Sequence, residues 1–219
     1  MLKKIFALMM ICAFALMTGC GSDKIVGSPD KAVLAYAEIA MTGSSDNMQA
    51  AGFSEDDGKA IRFNVARAFI ESLENVAPLS DASAEQVADI YFNKLKGAMN
   101  FQVKVVKDDP ERPIVEITTT PIDQGETARA SVAENDELLA LVGMVGKLKS
   151  DGADDESLKE NDAVQKLAVD ALTKYIENIK FASDQTYQVP CSKVTGSDKN
   201  VHWAPADSEL FINFLTGRN

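Results

Sequence analysis

The chain has 219 residues, with 22 lysines and arginines against 33 aspartates and glutamates and a net charge of −11. That balance excludes a nucleic-acid binder, which attaches through basic patches, and the length suits one domain with its own apolar core. Of the three cysteines, Cys12 and Cys20 fall in the first twenty residues, which leaves Cys191 without a disulfide mate.

Lys3 and Lys4 precede an unbroken apolar run from Ile5 to Met17. A run of about 13 residues suits the apolar stretch of a secretory leader and falls short of the roughly 20 that span a bilayer. Met17-Thr18-Gly19-Cys20 closes it. This ending resembles the signal of bacterial lipoproteins, which is cleaved before a cysteine that is then acylated, although Met17 stands where leucine is commoner. The resemblance implies a signal peptide over 1–19, lipidation of Cys20 (palmitate among its acyl chains) and a lipidated tether over 20–27. It makes the membrane the first partner, through the N-terminal lipid anchor. Two acyl chains give stable anchoring. Gly21 follows Cys20 where an aspartate would mark inner-membrane retention. The expected place is therefore the bacterial cell envelope, extracytoplasmic, on the outer membrane if the cell has two. The acidic surface is repelled by anionic headgroups within a Debye length of about 8 Å, so the domain stands off the membrane on its tether.

Ser28-Pro29-Asp30 reads as an N-cap, a proline at the first helical position and an acid in the first turn. A first helix runs to about Thr42 and stops at Gly43, with Val33, Tyr36, Ala37, Ala40 and Met41 on one face. A polar loop leads to Ser54 and Asp57, a capping pair for a second helix in which Ile61, Val65, Phe69 and Leu73 recur at helical spacing. Pro78 ends it. Ser83-Ala84-Glu85-Gln86 is a capping box for a third helix lined by Val87, Ile90, Tyr91, Leu95 and Met99. The period then changes to two: Phe101, Val103 and Val105 alternate with polar residues, 108–112 turns, and a β-branched run from Ile114 to Thr120 ends at Pro121. From about Glu126 the helical period returns, with Leu138, Leu141, Val142 and Val145 as a stripe. A linker over 150–156 and a long helix from about Ser157 to Phe181 follow. A second hairpin takes Thr186 to Val194 and Asn200 to Trp203, and Asp207 caps a last helix holding Leu210, Phe211, Phe214 and Leu215. The order predicts an α+β fold. Its antiparallel sheet comes from two hairpins, packed with N-terminal helices and a long helical insertion over about 123–183, all within a single domain, 28–219.

Three segments carry a second resemblance: Ser28-Pro29-Asp30-Lys31-Ala32-Val33, the Phe101–Pro121 hairpin after a capped helix, and the Tyr187–Trp203 hairpin. Together they resemble small exported bacterial lipoproteins of unknown function with a cystatin-like cone, loosely among the nuclear-transport-factor-2-like folds. The long helical segment between the hairpins departs from a simple cone. The resemblance implies a concave sheet with a pocket and no particular activity, since such folds host enzymes and inert binders alike.

Candidate chemistry is sparse. Ser28-Pro29-Asp30-Lys31 fits S-x-x-K and Ser45-Asp46-Asn47 fits S-D-N, but K-T-G is missing and the two stand too close for a penicillin-interacting serine enzyme. His202 is the single histidine, with neither H-E-x-x-H nor G-x-S-x-G around it. Cys191 shares strand parity with Tyr187 and Val189 and reads as a small buried hydrophobe. Asp151, Asp154, Asp155 and Glu156 lack the alternate spacing and mid-loop glycine of a calcium loop and read as a solvated linker. No metal site and no cofactor are expected. Tyr36, Tyr91, Tyr187 and Trp203, with Phe101, are the aromatic residues available to line a ligand pocket. The reading is a non-catalytic binding protein whose partner is an envelope protein or a small apolar ligand. The alternatives are a cone-fold enzyme, isomerase or hydrolase, and a purely structural envelope protein.

Overall fold

The structure, a computed structural model, describes residues 25–73, 78–133 and 135–218. The leader and Cys20, on which the lipoprotein expectation falls, lie outside the described residues.

Two β-branched segments, β1 (Phe101–Lys107) and β2 (Ile114–Thr119), pair antiparallel from Phe101–Thr119 to Val105–Val115, and a bulge between Val105 and Lys107 ends the regular register. Asp109 holds the turn: its carboxylate accepts the N–H groups of Glu111 and Arg112 at 2.9 Å each. Those bonds, with Lys107 nearby, bring its pKa down to about 2. The long strand β3 (Gln185–Thr195) pairs with β2 from Gln185 to Pro190 and with β4 (Val201–Pro205) from Cys191 to Thr195. Both hairpins therefore share one antiparallel sheet in the order β1-β2-β3-β4. Val115, Ile117, Val189 and Cys191 are buried on its inner face. On the outer face Lys104 pairs with Glu116 at 2.5 Å, and Thr118 bonds Thr186 at 3.0 Å.

Helix α1 (Pro29–Thr42) crosses the inner face, touching β1, β2 and β4 on one side and the next helices on the other. Four of its seven buried residues are alanines, Ala32, Ala35, Ala37 and Ala40, which let it lie close to the sheet; Val33, Ile39 and Met41 fill what remains. Ser28 occupies the N-cap with extended backbone, but its side chain makes no capping bond. Gly43 closes the helix with φ +65°, a left-handed conformation that glycine adopts without strain. The segment read as a polar loop contains a short helix, α2 (Met48–Ala51), because Met48 and Ala51 are drawn into the core. Helix α3 (Glu55–Leu73) begins on the expected capping pair: Asp57 N–H donates to Ser54 Oγ at 3.1 Å and Ser54 N–H to the Asp57 carboxylate at 3.0 Å.

The third sequence helix starts earlier than its apparent capping box. In α4 (Asp81–Lys96) Ser80, not Ser83, is the N-cap, accepting the Ser83 N–H at 3.3 Å. Ser83 is itself buried in the first turn. Gln165 explains the shift: its side chain accepts the Ser80 N–H at 2.8 Å and donates to the carbonyls of Pro78 and Leu158 at 3.0 Å, fixing where α4 enters. The insertion is four helices: α5 (Gln124–Ala133), α6 (Asp136–Ser150), α7 (Asp155–Lys159) and α8 (Asp162–Glu177). The single long helix expected from Ser157 is thus two. Asn161 interrupts it, accepting the N–H groups of Ala163 and Val164 at 3.1 Å and starting α8 afresh. Helix α8 packs on α4 and α6. Helix α9 (Ser208–Leu215) is capped by Asp207 as expected. Phe211, Phe214 and Leu215 are buried, whereas Leu210, expected with them, points to solvent. Val26, in the segment read as a tether, is docked on β4: its N–H donates to Val201 O at 2.8 Å and it bridges His202.

Candidate functional site

The aromatic residues proposed as pocket lining lie in separate clusters. Tyr36 sits between Phe53 and Phe211, with ring centroids 6.4 and 6.0 Å away. Burial raises its pKa against a hydrogen bond to Ser208. Tyr91 is buried and stacked on Phe69 at 4.0 Å, and burial pushes its hydroxyl pKa well up. Tyr187 stacks on Phe214 at 4.8 Å. Trp203 is buried in β4, with the Lys193 ammonium 5.6 Å from its ring centroid and Lys193 in turn paired with Glu111 at 2.7 Å. Phe101 borders a hollow of about 380 Å³ at the end of β1 and β2, beside Thr119 and Asp184.

A second hollow, of about 400 Å³, opens where α1, α2 and α3 meet. Ile39 and Met48 give it apolar walls, and Asp46, Glu55, Lys59 and Arg62 charge its lining. Gly58 belongs there for a steric reason, since a side chain at that position would run into the Met48 sulfur. Arg62 is fixed twice, by Asp89 at 2.7 Å and by the Phe92 ring 4.8 Å from its guanidinium. Ser45 and Asp46 of the S-D-N triplet line this hollow, but Asn47 is committed to Glu38, donating at 2.7 Å. Lys31 is exposed at the far end of α1.

His202 is the residue whose surroundings sequence reasoning missed. It is buried in β4, its ring 4.5 Å from that of Phe53. Gly52, at φ +93°, passes so close that a β-carbon there would come within 2.7 Å of the His202 β-carbon. Beyond the ring, the β3–β4 turn meets the start of α3. Ser54 Oγ donates to the Asp57 carboxylate and bonds Ser197 Oγ, each at 2.7 Å, and Ser197 N–H donates to Asp57 at 3.1 Å. A serine, an aspartate and a histidine thus gather, but not as a relay. Ser54 bonds the carboxylate directly, and His202 Nδ1 has no hydrogen-bond partner among the described residues. Burial lowers the His202 pKa, opposed by Asp57, Asp198 and the Asn200 backbone. Asp57 ends below its usual value because its bonds to Ser54 and Ser197 outweigh the desolvation that raises it. The capping spacing of Ser54 and Asp57 was visible in sequence; its partner Ser197 lies 143 residues away and was not.

Cys191 is buried and makes no disulfide among the described residues, and burial pushes its thiol up to about 12. The acidic linker is spent on structure: Asp154 caps α7 through the Ser157 N–H at 2.9 Å, and Asp155 pairs with Lys149 at 2.9 Å.

A family model described as "Domain of unknown function (DUF5105)" matches residues 22–204. No curated protein matches the chain. A crystal structure described as that of "a putative lipoprotein (ycdA)" from Bacillus subtilis is similar in fold, with a TM-score of 0.54 and 16% identity over 84% of this chain. This chain spans about half of that one, 54% of its length.

Proposed function

We propose that this chain, which belongs to the DUF5105 family, is a lipid-anchored extracytoplasmic protein of the bacterial envelope that acts by binding and not by catalysis. The observation that carries the anchor is the leader, an apolar run of secretory length closed by Thr18-Gly19-Cys20. Likeness in fold to a protein described as a lipoprotein supports it. Non-catalytic action is supported by what the polar groups near the single histidine already do. Ser54 and Asp57 cap α3 and clasp the β3–β4 turn, and His202 stands buried behind them. The α1–α3 hollow has an apolar wall and a charged lining, which fits a ligand with an apolar body and a polar end. The four-stranded antiparallel sheet with helices on its inner face supports the cystatin-like part of this reading.

Metabolic labelling with palmitate, followed by membrane fractionation, tests the anchor. The full-length protein is expected to take label and pellet with membranes; Cys20→Ala is expected to do neither, and a labelled or membrane-bound Cys20→Ala overturns it. For the binding half, Trp203 is the only tryptophan and its emission reports on the fold. Melts followed by that emission, with and without envelope lipid extract, are expected to shift for the wild type and for His202→Ala alike. Loss of function in His202→Ala with an unchanged melt would favour an enzyme.

A further inference from the structure

Seven large hydrophobic side chains are exposed among the described residues, and three of them, Leu139, Val142 and Met144, lie on α6. Leu139 is the most open of the seven, at 72%. The opposite face of α6 buries Leu141 and Val145 and packs on α8. The outward face continues through Ala140, Gly143 and Gly146, where an added β-carbon at either glycine would meet no atom within 4 Å. The helix also carries an ordered charge: Asp136 and Glu137 in the first turn, Lys147 and Lys149 in the last. Lys149 is paired with Asp155, whereas Lys147 has no ion pair among the described residues. Asp136 and Lys147 flank the apolar patch on the outward side.

We propose that α6 is a self-association surface, which takes the α6 of a second copy of this chain in an antiparallel two-fold pairing. Charge order selects both occupant and direction. Antiparallel pairing sets the acidic first turn of each helix against the basic last turn of the other, twice, as a two-fold contact requires. Parallel pairing would set like charges together. A helix lying on lipid carries cations along its apolar stripe, but α6 begins with two acids and is followed by Asp151, Asp154, Asp155 and Glu156. Leu139 and Val142 supply the ridge, and the space over Gly143 and Gly146 is the groove into which the partner's ridge fits. Fifteen residues make a helix about 22 Å long, so the pair lies at the small end of stable interfaces and associates reversibly.

Oxidative cross-linking of the full-length protein in membranes tests this. Gly143→Cys and, as a second probe, Ala140→Cys are expected to give a disulfide-linked species of twice the chain mass. Phe63→Cys, 62% exposed on α3, gives none. The native Cys191 is buried and stays silent. In the Gly143→Cys background, Lys147→Glu is expected to lower the cross-linked fraction about fivefold, and adding Asp136→Lys to restore it. Equal cross-linking at 63 and 143 marks random collision and overturns the proposal. So does a product of any other mass, which identifies a different protein as the occupant. Cross-linking undiminished by Lys147→Glu overturns the antiparallel pairing.

Discussion

Helices α1 and α6 are of nearly equal length, 14 and 15 residues, and both are apolar, yet α1 buries seven side chains and α6 two. The difference is one of neighbours. Helix α1 is enclosed between the sheet and the α3–α4 layer, and its alanines allow approach from every side. Helix α6 rests on α8 with one stripe, and its smallest residues, Gly143 and Gly146, face outward. Apolar composition sets how much a helix can bury; layer position decides how much it does.

The sharpest break in this comparison comes from trimming each helix. Ile39→Ala, in the enclosed helix, is expected to cost about 2–5 kcal/mol, because a buried side chain is taken out of the core where it walls the α1–α3 hollow. Urea unfolding followed by Trp203 emission measures it, and a loss below 1 kcal/mol would show that the α1 layer collapses freely. Next in size is Ser54→Ala, which removes the cap of α3 and its bond to Ser197 together; a loss of about 0.5–2 kcal/mol is expected. Ser197→Ala should give a smaller loss, and the difference separates cap from clasp.

The third prediction concerns pH. His202 has its folded pKa below the ordinary value of 6.5 through burial, so the native state resists its protonation. Stability is then full above about pH 6.5 and falls as the pH drops from there toward the folded pKa. Asp57, with a lowered pKa, contributes stability above about pH 3.8 that is lost only as the pH falls through its folded value, so the two windows are distinct. Because the chain has one histidine, His202→Gln should flatten the melting temperature between pH 6.5 and 5. A slope unchanged in that variant would place the titration elsewhere. The smallest effect is expected at the other end of the comparison. Val142→Ala, on the open face of α6, should change stability by no more than about 0.5 kcal/mol, and a cost equal to that of Ile39→Ala would mean the face is covered in the free chain.

What sequence reading recovered follows the range of each signal. Helix and strand identity came from periodicity within ten to twenty residues, and both hairpins and the Ser54–Asp57 and Asp207 caps were legible that way. The start of α4 was misplaced at Ser83 because the group that decides it, the Gln165 amide, sits 85 positions from Ser80. The break at Asn161 was missed because it is set by a polar side chain and not by the spacing of apolar residues: Asn161 accepts the N–H groups of Ala163 and Val164 and starts α8. Leu210 was assigned to the core because its neighbours Phe211 and Phe214 are there, although a short terminal helix has only one face to bury. The clasp around His202 was invisible for the same reason as the Gln165 contact. Ser197 and Asp57 stand 140 positions apart in sequence and meet only in the folded chain.

The docking of Val26 has a mechanical consequence. A pull on the N-terminal segment enters the domain at the Val26–Val201 hydrogen bond and the adjoining bridge to His202, ahead of the first helical residue. The load therefore passes into β4 and from there across β3 to the sheet, along its antiparallel ladder of bonds. Helix α1, next in the chain, is shielded from tension as long as that contact holds. Rupture at Val26 would be the first event in a force-extension trace, and α1 the first element to peel after it.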